Sequence, residues 1–272
     1  MNISSNPKRL RWPALAGLFL FAGLALAASE DDALWDSTLK QQYFGDRPIA
    51  ESTDVIELVA PYRAEDPALV PISVNAKIAQ SPDKFIKAIT LIIDKNPVPF
   101  AAAFHFTPES GKADVAMRLR VNAYTNVRAI AETNDGKLSM SKAFVKASGG
   151  CSAPIGADLD AAMARLGKMK FKLDGDKVTP QSPNLTQLLI SHPNITGMQM
   201  DQISRMVKPA HYVDEVKVSF DGKPVMTAQT DIAVSADPNF RFYFVPQKAG
   251  ELKAEIKDNL GKQFSYTQAV TP

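Results

Sequence analysis

The only cysteine of the chain, Cys151, lies in residues 147–158, which read ASGGCSAPIGAD. Gly149 and Gly150 precede it, and a serine, an alanine and a proline follow it. A deprotonated thiol can form a thioester, a disulfide or a persulfide. No side chain within three residues of Cys151 adds much core volume, so we expect an exposed thiol that attaches a substrate. The alternative is a buried thiol that packs as a small apolar side chain.

The two glycines suggest how such a thiol is positioned. Glycine has the largest backbone freedom of any residue, so Gly149 and Gly150 are predicted to be the hinge of a mobile segment, residues 149–153, which we name the arm. A thiol with an ordinary pKa of about 8.5 is only a few per cent deprotonated near pH 7. The nearest cation in sequence is Lys146. Activation of the sulfur is therefore expected to come from a partner enzyme.

The rest of the chain offers no second catalytic group. We find no Ser-His-Asp order, phosphate-binding loop, paired-carboxylate motif or HExxH sequence. A single cysteine also rules out an internal disulfide, dithiol redox chemistry and cysteine-based zinc sites. We therefore predict a protein that is not an enzyme and that holds no cofactor.

Histidine and methionine are concentrated in residues 192–211. His192 is expected to be a structural residue that closes a strand into a turn, with support of the thiol as the alternative. Three methionines lie between His192 and His211, and thioether and imidazole groups together suit copper: Met198, Met200 and Met206. Their spacing matches no defined copper site, so we predict no metal.

The N-terminus has the pattern of a secretory signal peptide. Three basic residues, Lys8, Arg9 and Arg11, precede an apolar run over residues 14–26, and Ala25 and Ala27 form a small-x-small cleavage pattern. The apolar run is shorter than the ~20 residues of a membrane-spanning helix. We therefore predict that residues 1–27 are a signal peptide and that the protein is periplasmic, with no membrane contact after cleavage.

Removal of this segment changes the net charge. The chain has 31 basic and 29 acidic residues, and the three basic residues of the signal peptide leave 28 against 29, a net charge of −1. No lysine- or arginine-rich stripe remains of the kind that binds nucleic acid. A nucleic-acid partner is therefore not expected.

Alternating apolar and polar residues predict strands on both sides of a different middle segment. Hairpin turns are indicated at Asp135–Gly136 and at Asp221–Gly222. Many short strands with turn signals at this spacing are typical of antiparallel sandwiches. We predict an all-β protein of two immunoglobulin-like antiparallel β-sandwiches, residues 28–151 and 184–272, joined by a helical linker over residues 152–183.

Three stretches of this sequence resemble known families. Gly149, Gly150 and Cys151 directly follow a β-domain, as in SoxY, whose arm carries a Gly-Gly-Cys-Gly-Gly-like sequence. The stretch ISHPNITGMQMD and the aromatic strand and hairpin that begin at ADPNFRFYFVPQ resemble SoxZ. The chain is similar to a fused type, the quinoprotein dehydrogenase-associated SoxYZ-like carriers. In SoxY the arm is C-terminal, whereas residues 152–272 follow Cys151.

The resemblance implies a periplasmic carrier without catalytic activity. Cys151 would hold a small adduct, sulfur-containing or acyl-type, and present it to partner redox enzymes. These would be a quinoprotein dehydrogenase, a c-type cytochrome or Sox-like enzymes. The alternative is an accessory protein that binds a PQQ-dependent alcohol dehydrogenase and its cytochrome c through sandwich surfaces, in which case the cysteine is incidental.

Overall fold

A computed structural model describes Met1 and residues 32–155, 159–175, 178–201 and 204–271. Apart from Met1, the predicted signal peptide, residues 1–27, lies outside the described residues. Within the described ranges, no helix is both long enough and apolar enough to cross a membrane.

Within the described residues, the first half of the chain contains one long helical segment, one short 3-10 helix and eight strands. Helix α1 includes a π-helical turn at Trp35–Leu39 and continues as an α-helix over Lys40–Phe44. The strands are β1 (Ile49–Glu51), β2 (Ile56–Val59), β3 (Val70–Ala76), β4 (Ile86–Ile93), β5 (Phe100–Phe106), β6 (Val115–Leu119), β7 (Thr125–Thr133) and β8 (Leu138–Val145). A short 3-10 helix, Pro108–Ser110, lies between β5 and β6.

The second half begins with a short helix and adds seven strands. Helix α2 covers Leu159–Ala164, within the region predicted as a helical linker. The strands are β9 (Met169–Leu173), β10 (Asn184–Ile190), β11 (Val213–Phe220), β12 (Lys223–Thr230), β13 (Asn239–Phe244), β14 (Gly250–Asp258) and β15 (Gln263–Val270). Strand β9 also falls within residues 152–183, and it pairs with β10, so this part of the predicted linker belongs to a sheet.

The strands form two sheets, and each sheet runs through both halves of the chain. The nine-stranded sheet has the order β1-β8-β7-β4-β5-β12-β11-β14-β15, and the six-stranded sheet has the order β2-β3-β6-β13-β10-β9. Strands β5 and β12 join the halves in the larger sheet, where Phe104 pairs with Ala228. Strands β6 and β13 join them in the smaller sheet, where Ala116 pairs with Arg241.

The two sheets pack face to face over one apolar core that both halves share. Phe240, Phe242 and Phe244 alternate along β13 and are fully buried, as their spacing predicted. The ring of Phe104 on β5 lies 5.9 Å from the ring of Phe240, edge to face, so the core crosses the boundary between the halves. The predicted all-β sandwich architecture is confirmed, and the continuous sheets are an additional feature.

Helix α1 was not predicted from the sequence. It buries Trp35 and Leu39 against the outer face of the nine-stranded sheet. The Arg128 guanidinium on β7 donates to the Asp94 carboxylate through Nε and Nη2, and it lies 4.7 Å from the Trp35 ring centroid. It also donates to the Asp32 carboxylate at the start of the helix over 2.9 Å, so the cation links the helix to the sheet.

Candidate functional site

The arm follows β8 and lies against the loop after β6. The Gly149 amide donates to the Asn122 carbonyl over 2.9 Å, and the Gly150 amide donates to the Val121 carbonyl over 3.1 Å. The Cys151 amide donates to the Asn122 side-chain oxygen over 3.3 Å. These three bonds attach one side of the arm to the first half of the chain.

The second half of the chain binds the other side of the arm. The Thr196 hydroxyl donates to the Cys151 carbonyl over 2.7 Å. The Gln199 side-chain amide donates to the Ala153 carbonyl over 2.8 Å, and its oxygen accepts the Thr196 amide over 3.1 Å. We name Thr196 and Gln199 the latch. Both lie in residues 190–201, the stretch whose sequence suggested SoxZ.

Cys151 is buried, with 1% of its surface exposed. The prediction of a solvent-exposed thiol on a bare stretch of backbone is therefore wrong for this structure. The neighbours of Cys151 in sequence are small, and the groups that enclose it come from elsewhere in the chain. Small residues around Cys151 allow the backbone to sit close to both halves, which is how burial is achieved without large side chains.

Positions 149 and 150 favour glycine for different structural reasons. Gly149 has φ +79°, a left-handed conformation that favours glycine. Gly150 lies where a Cβ atom would come within 2.1 Å of the Pro67 carbonyl oxygen and 2.6 Å of the Val121 carbonyl oxygen. Gly150 is thus required for close packing of the arm in this structure. That the two residues act as a hinge remains a prediction.

Burial controls the chemistry of the Cys151 thiol. Desolvation raises its pKa to about 11, although the Arg120 guanidinium acts in the opposite direction. At pH 7, about one thiol in ten thousand would be deprotonated at that pKa. Lys146, the cation nearest in sequence, lies with its ammonium 4.7 Å from the Tyr62 ring centroid. In the docked arm the sulfur is therefore protected from reaction.

Arg120 is a site residue that sequence reasoning missed. Only 3% of its surface is exposed, and Nη1 donates to the carbonyls of Ile232 and Val234. Its Nε atom is buried and has no hydrogen-bond partner. Desolvation lowers the pKa of Arg120 to about 10. Arg120 directly follows β6 and lies between the buried residues Leu119 and Val121, a pattern that indicates an outward-facing cation. The second half of the chain packs over that face and bonds the guanidinium through the Ile232 and Val234 carbonyls.

His192 is fully buried beside His211 and Asp258. The nearest nitrogen and oxygen atoms of these three side chains lie within 4.8 Å of one another, a spacing that could hold a metal ion. However, His192 Nδ1 accepts the Asn194 amide over 3.1 Å. A neutral ring then carries its proton on Nε2, which faces the Asp258 carboxylate at 3.8 Å and has no free lone pair for a metal.

This cluster has a structural role near the latch. His211 Nε2 lies 2.8 Å from Asp258 Oδ2, and desolvation lowers the pKa of His192 to about 4, with His211 as a further cause. The Asn194 side-chain oxygen accepts the Val213 amide over 3.2 Å. His192 thereby helps to fix the chain two residues before the latch. Whether it supports the thiol remains a prediction.

Met200 and Met206 do not join the buried histidines. They are 44% and 70% exposed, whereas His192 and His211 are buried. The combined methionine and histidine copper site that the sequence raised is therefore not assembled by these two methionines.

Comparison with protein families matches the two halves separately. Residues 40–151 match the family described as sulfur oxidation protein SoxY, and residues 172–269 match the family described as sulphur oxidation protein SoxZ. The chain therefore matches the two family models in tandem, and we name the matched parts the SoxY domain and the SoxZ domain. The match to SoxY ends at Cys151, so the arm lies at the end of the SoxY domain and the latch belongs to the SoxZ domain.

Several solved structures are similar to parts of the chain. The sulfur carrier protein SoxY from Chlorobium limicola f thiosulfatophilum is 29% identical, with 44% of this chain and 99% of that chain covered and a TM-score of 0.37. A superoxide reductase (neelaredoxin) from Ignicoccus hospitalis is 18% identical, covering 41% and 85%, with a TM-score of 0.29.

A glycosyl hydrolase family 2 member from Bacteroides cellulosilyticus DSM 14838 is 10% identical, covering 84% of this chain and 30% of that chain, with a TM-score of 0.24. Comparison with the curated proteins found no match. At these TM-scores none of the three structures carries a functional argument, and the domain assignment rests on the family matches.

Proposed function

We propose that this protein is a periplasmic carrier that holds a small adduct on Cys151 and presents it to partner enzymes. One observation carries the proposal: the single thiol lies at the last residue of the SoxY domain, on an arm that hydrogen bonds from both domains hold in place. A docked arm shields the sulfur, and an open arm exposes it. A carrier needs both states.

The adduct is sulfur-containing or acyl-type, and the SoxY and SoxZ domains favour sulfur. Joining the Cys151 thiol to a cargo thiol forms one sulfur–sulfur bond, breaks two S–H bonds, and releases two protons and two electrons. The loading partner must therefore accept two electrons. The quinone cofactor of a quinoprotein dehydrogenase accepts two electrons, whereas a c-type haem accepts one, so a cytochrome or a haem-containing Sox-like enzyme would need two haems or two successive transfers. An acyl adduct would instead form a thioester by group transfer, without net oxidation.

The chain supplies transport and protection rather than catalysis in this proposal. A thiol with a pKa of about 11 does not react while the arm is docked. A partner that draws the arm out returns the thiol to water, where the desolvation that raised its pKa is lost. Activation thus occurs only in the presence of the partner.

The burial of Cys151 also favours a second candidate function. An accessory protein of a PQQ-dependent alcohol dehydrogenase and its cytochrome c could use sandwich surfaces alone, with Cys151 as a core residue. The two functions differ in what they require of the sulfur.

Intact-mass spectrometry separates the two functions. Protein purified without reductant from cells with an active pathway should contain a fraction with added mass, and Cys151→Ser protein should lack it. The Cys151→Ser strain should also lose pathway activity, while Ser152→Ala, a neighbour with an exposed side chain, should keep it. A Cys151→Ser strain with full activity and no adduct on the wild-type protein would contradict the carrier and support the accessory role.

The periplasmic location has its own measurement. Sequencing the N-terminus of protein from the periplasmic fraction should give Ala28 as the first residue. Recovery of the intact N-terminus from the cytoplasm would contradict the signal peptide.

A further inference from the structure

A cavity of about 480 Å³ lies beside the arm, between the two domains. The SoxY domain contributes Leu69 and Arg120, the segment after the arm contributes Pro154 and Ile155, and the SoxZ domain contributes Pro193. Helix α2 closes another side. The walls are mainly apolar, and the cavity falls within the 300–1,000 Å³ range of small-molecule sites.

The cavity is lined by a buried cation that forms no ion pair with a described carboxylate. Arg120 is 97% removed from solvent, and burial of an unpaired charge is costly. Among the residues that the structure describes, no carboxylate lies within ion-pair distance of its guanidinium. Its hydrogen bonds to Ile232 and Val234 use neutral carbonyls, and its Nε donor is unused. If Arg120 served only to hold these two carbonyls in place, an uncharged hydrogen-bond donor would be sufficient.

The other charged groups around the cavity already have partners. The Asp66 carboxylate accepts the Ala68 amide over 2.8 Å. The Asp237 carboxylate accepts the His192 amide over 3.1 Å and lies 3.6 Å from the Arg165 guanidinium. Arg120 is thus the one cation lining the cavity, among the described residues, that forms no ion pair; the Asp66 carboxylate attracts it only from beyond ion-pair distance.

We propose that this cavity binds a small organic anion, a carboxylate or sulfonate with a short apolar body, whose charged end pairs with Arg120. The apolar walls would contact the body of the ligand, and the guanidinium would donate charge-assisted hydrogen bonds to its oxygens. This binding is non-covalent and does not need the Cys151 thiol, so it goes beyond the carrier function. Because Pro154 and the latch residue Gln199 line the cavity, an occupant would also contact the segment that follows the arm and the latch that holds the arm.

Isothermal titration calorimetry on protein carrying Cys151→Ser tests the inference without covalent chemistry. The probes are butanoate, propane-1-sulfonate and butanamide, which share a short apolar body and differ in charge. Both anions should bind, and butanamide should bind at least about tenfold more weakly, because it cannot form the charged hydrogen bonds. Equal affinity for butanoate and butanamide would overturn the proposal.

Two variants locate the site. Arg120→Met should weaken butanoate binding about tenfold or more, whereas Arg165→Met, which removes a half-exposed cation of the same cavity, should change it by less than about threefold. Unchanged affinity in Arg120→Met would refute the role of Arg120. If Arg120→Met does not fold, the proposal is still tested by comparing butanoate with butanamide binding to the Cys151→Ser protein. NMR amide shifts caused by butanoate must then include those of Leu69 and Ile155. Absence of anion binding would not bear on whether Cys151 carries an adduct, so the two proposals are tested separately.

Discussion

Replacing Thr196 by valine should release the arm. The Thr196 hydroxyl donates to the Cys151 carbonyl and accepts the Met198 amide over 3.1 Å, and valine keeps the shape but removes both bonds. Loss of a buried hydrogen bond that leaves its partner unsatisfied costs about 1–2 kcal/mol. If this cost falls on the docked state alone, the equilibrium constant for opening rises about 5- to 30-fold.

The rate of thiol labelling reports this opening. With a maleimide in excess and fast closing, the observed rate equals the opening constant multiplied by the rate for a free thiol. We therefore expect Thr196→Val to label about 5- to 30-fold faster than the wild-type protein. Urea at concentrations below the unfolding transition should change the labelling rate of the wild-type protein little, because local opening exposes little surface.

Thr186→Val is the matched control. Thr186 is a buried threonine on β10 whose hydroxyl donates to the Lys172 carbonyl over 3.3 Å, within the sheet and outside the latch. It should lower the free energy of global unfolding but leave the labelling rate near that of the wild type. If both variants accelerate labelling in proportion to their loss of global stability, Cys151 is exposed only by unfolding and the latch has no role.

Further predictions follow from the same contacts. Gly150→Ala should lower the melting temperature and speed Cys151 labelling more than Gly149→Ala. A Cβ atom at residue 150 would meet two carbonyl oxygens, whereas a Cβ atom at residue 149 would have no neighbour closer than 4.0 Å. Equal effects of the two substitutions would contradict close packing at Gly150. Phe104→Ala should cost about 3–5 kcal/mol in one cooperative urea transition, seen alike by tryptophan fluorescence and circular dichroism, and separate transitions would show independent domains. The pKa of His192 is about 4 in the folded protein and 6.5 for a free ring. As the pH drops from about 6.5 to about 4, the unfolded state therefore binds the proton first, and the free energy of unfolding falls by at most about 3 kcal/mol. His192→Gln should flatten that part of the pH–stability curve, and an unchanged slope would assign it to other groups.

The strands were predictable because their signals are local. Alternation along β6 and β13 gave the buried face of each strand, and Asp–Gly pairs gave the β7–β8 and β11–β12 turns. Each of these signals depends on residues within about ten positions of one another. The all-β class and the strand content of each half therefore followed from the sequence.

The candidate site was predicted only in part, because its geometry depends on residues that are far apart in sequence. Cys151 and its two glycines were identified by type, but their burial depends on Pro67, Val121 and Thr196, which lie far away in sequence. Arg120 was not identified because its alternation indicated a solvent-facing side chain. Continuous sheets across two domains require pairing of β5 with β12, whose edges carry no sequence signal for a partner.

The position of the arm within the chain limits what a partner of the proposed carrier can look like. Lys146 is held on both sides, since its amide donates to the Tyr62 carbonyl over 2.8 Å and its carbonyl accepts the Ala64 amide over 3.1 Å. Cys151 lies five residues beyond this anchor, and an extended chain spans at most about 3.3–3.6 Å per residue. The Cα atom of Cys151 can therefore lie at most about 18 Å from that of Lys146 while that anchor remains paired. A partner of the proposed carrier would have to bring its reactive group within this distance of the carrier surface, which favours a shallow site over a deep tunnel. Because the chain continues on both sides of Cys151, the arm stays tethered at both ends and cannot leave the carrier.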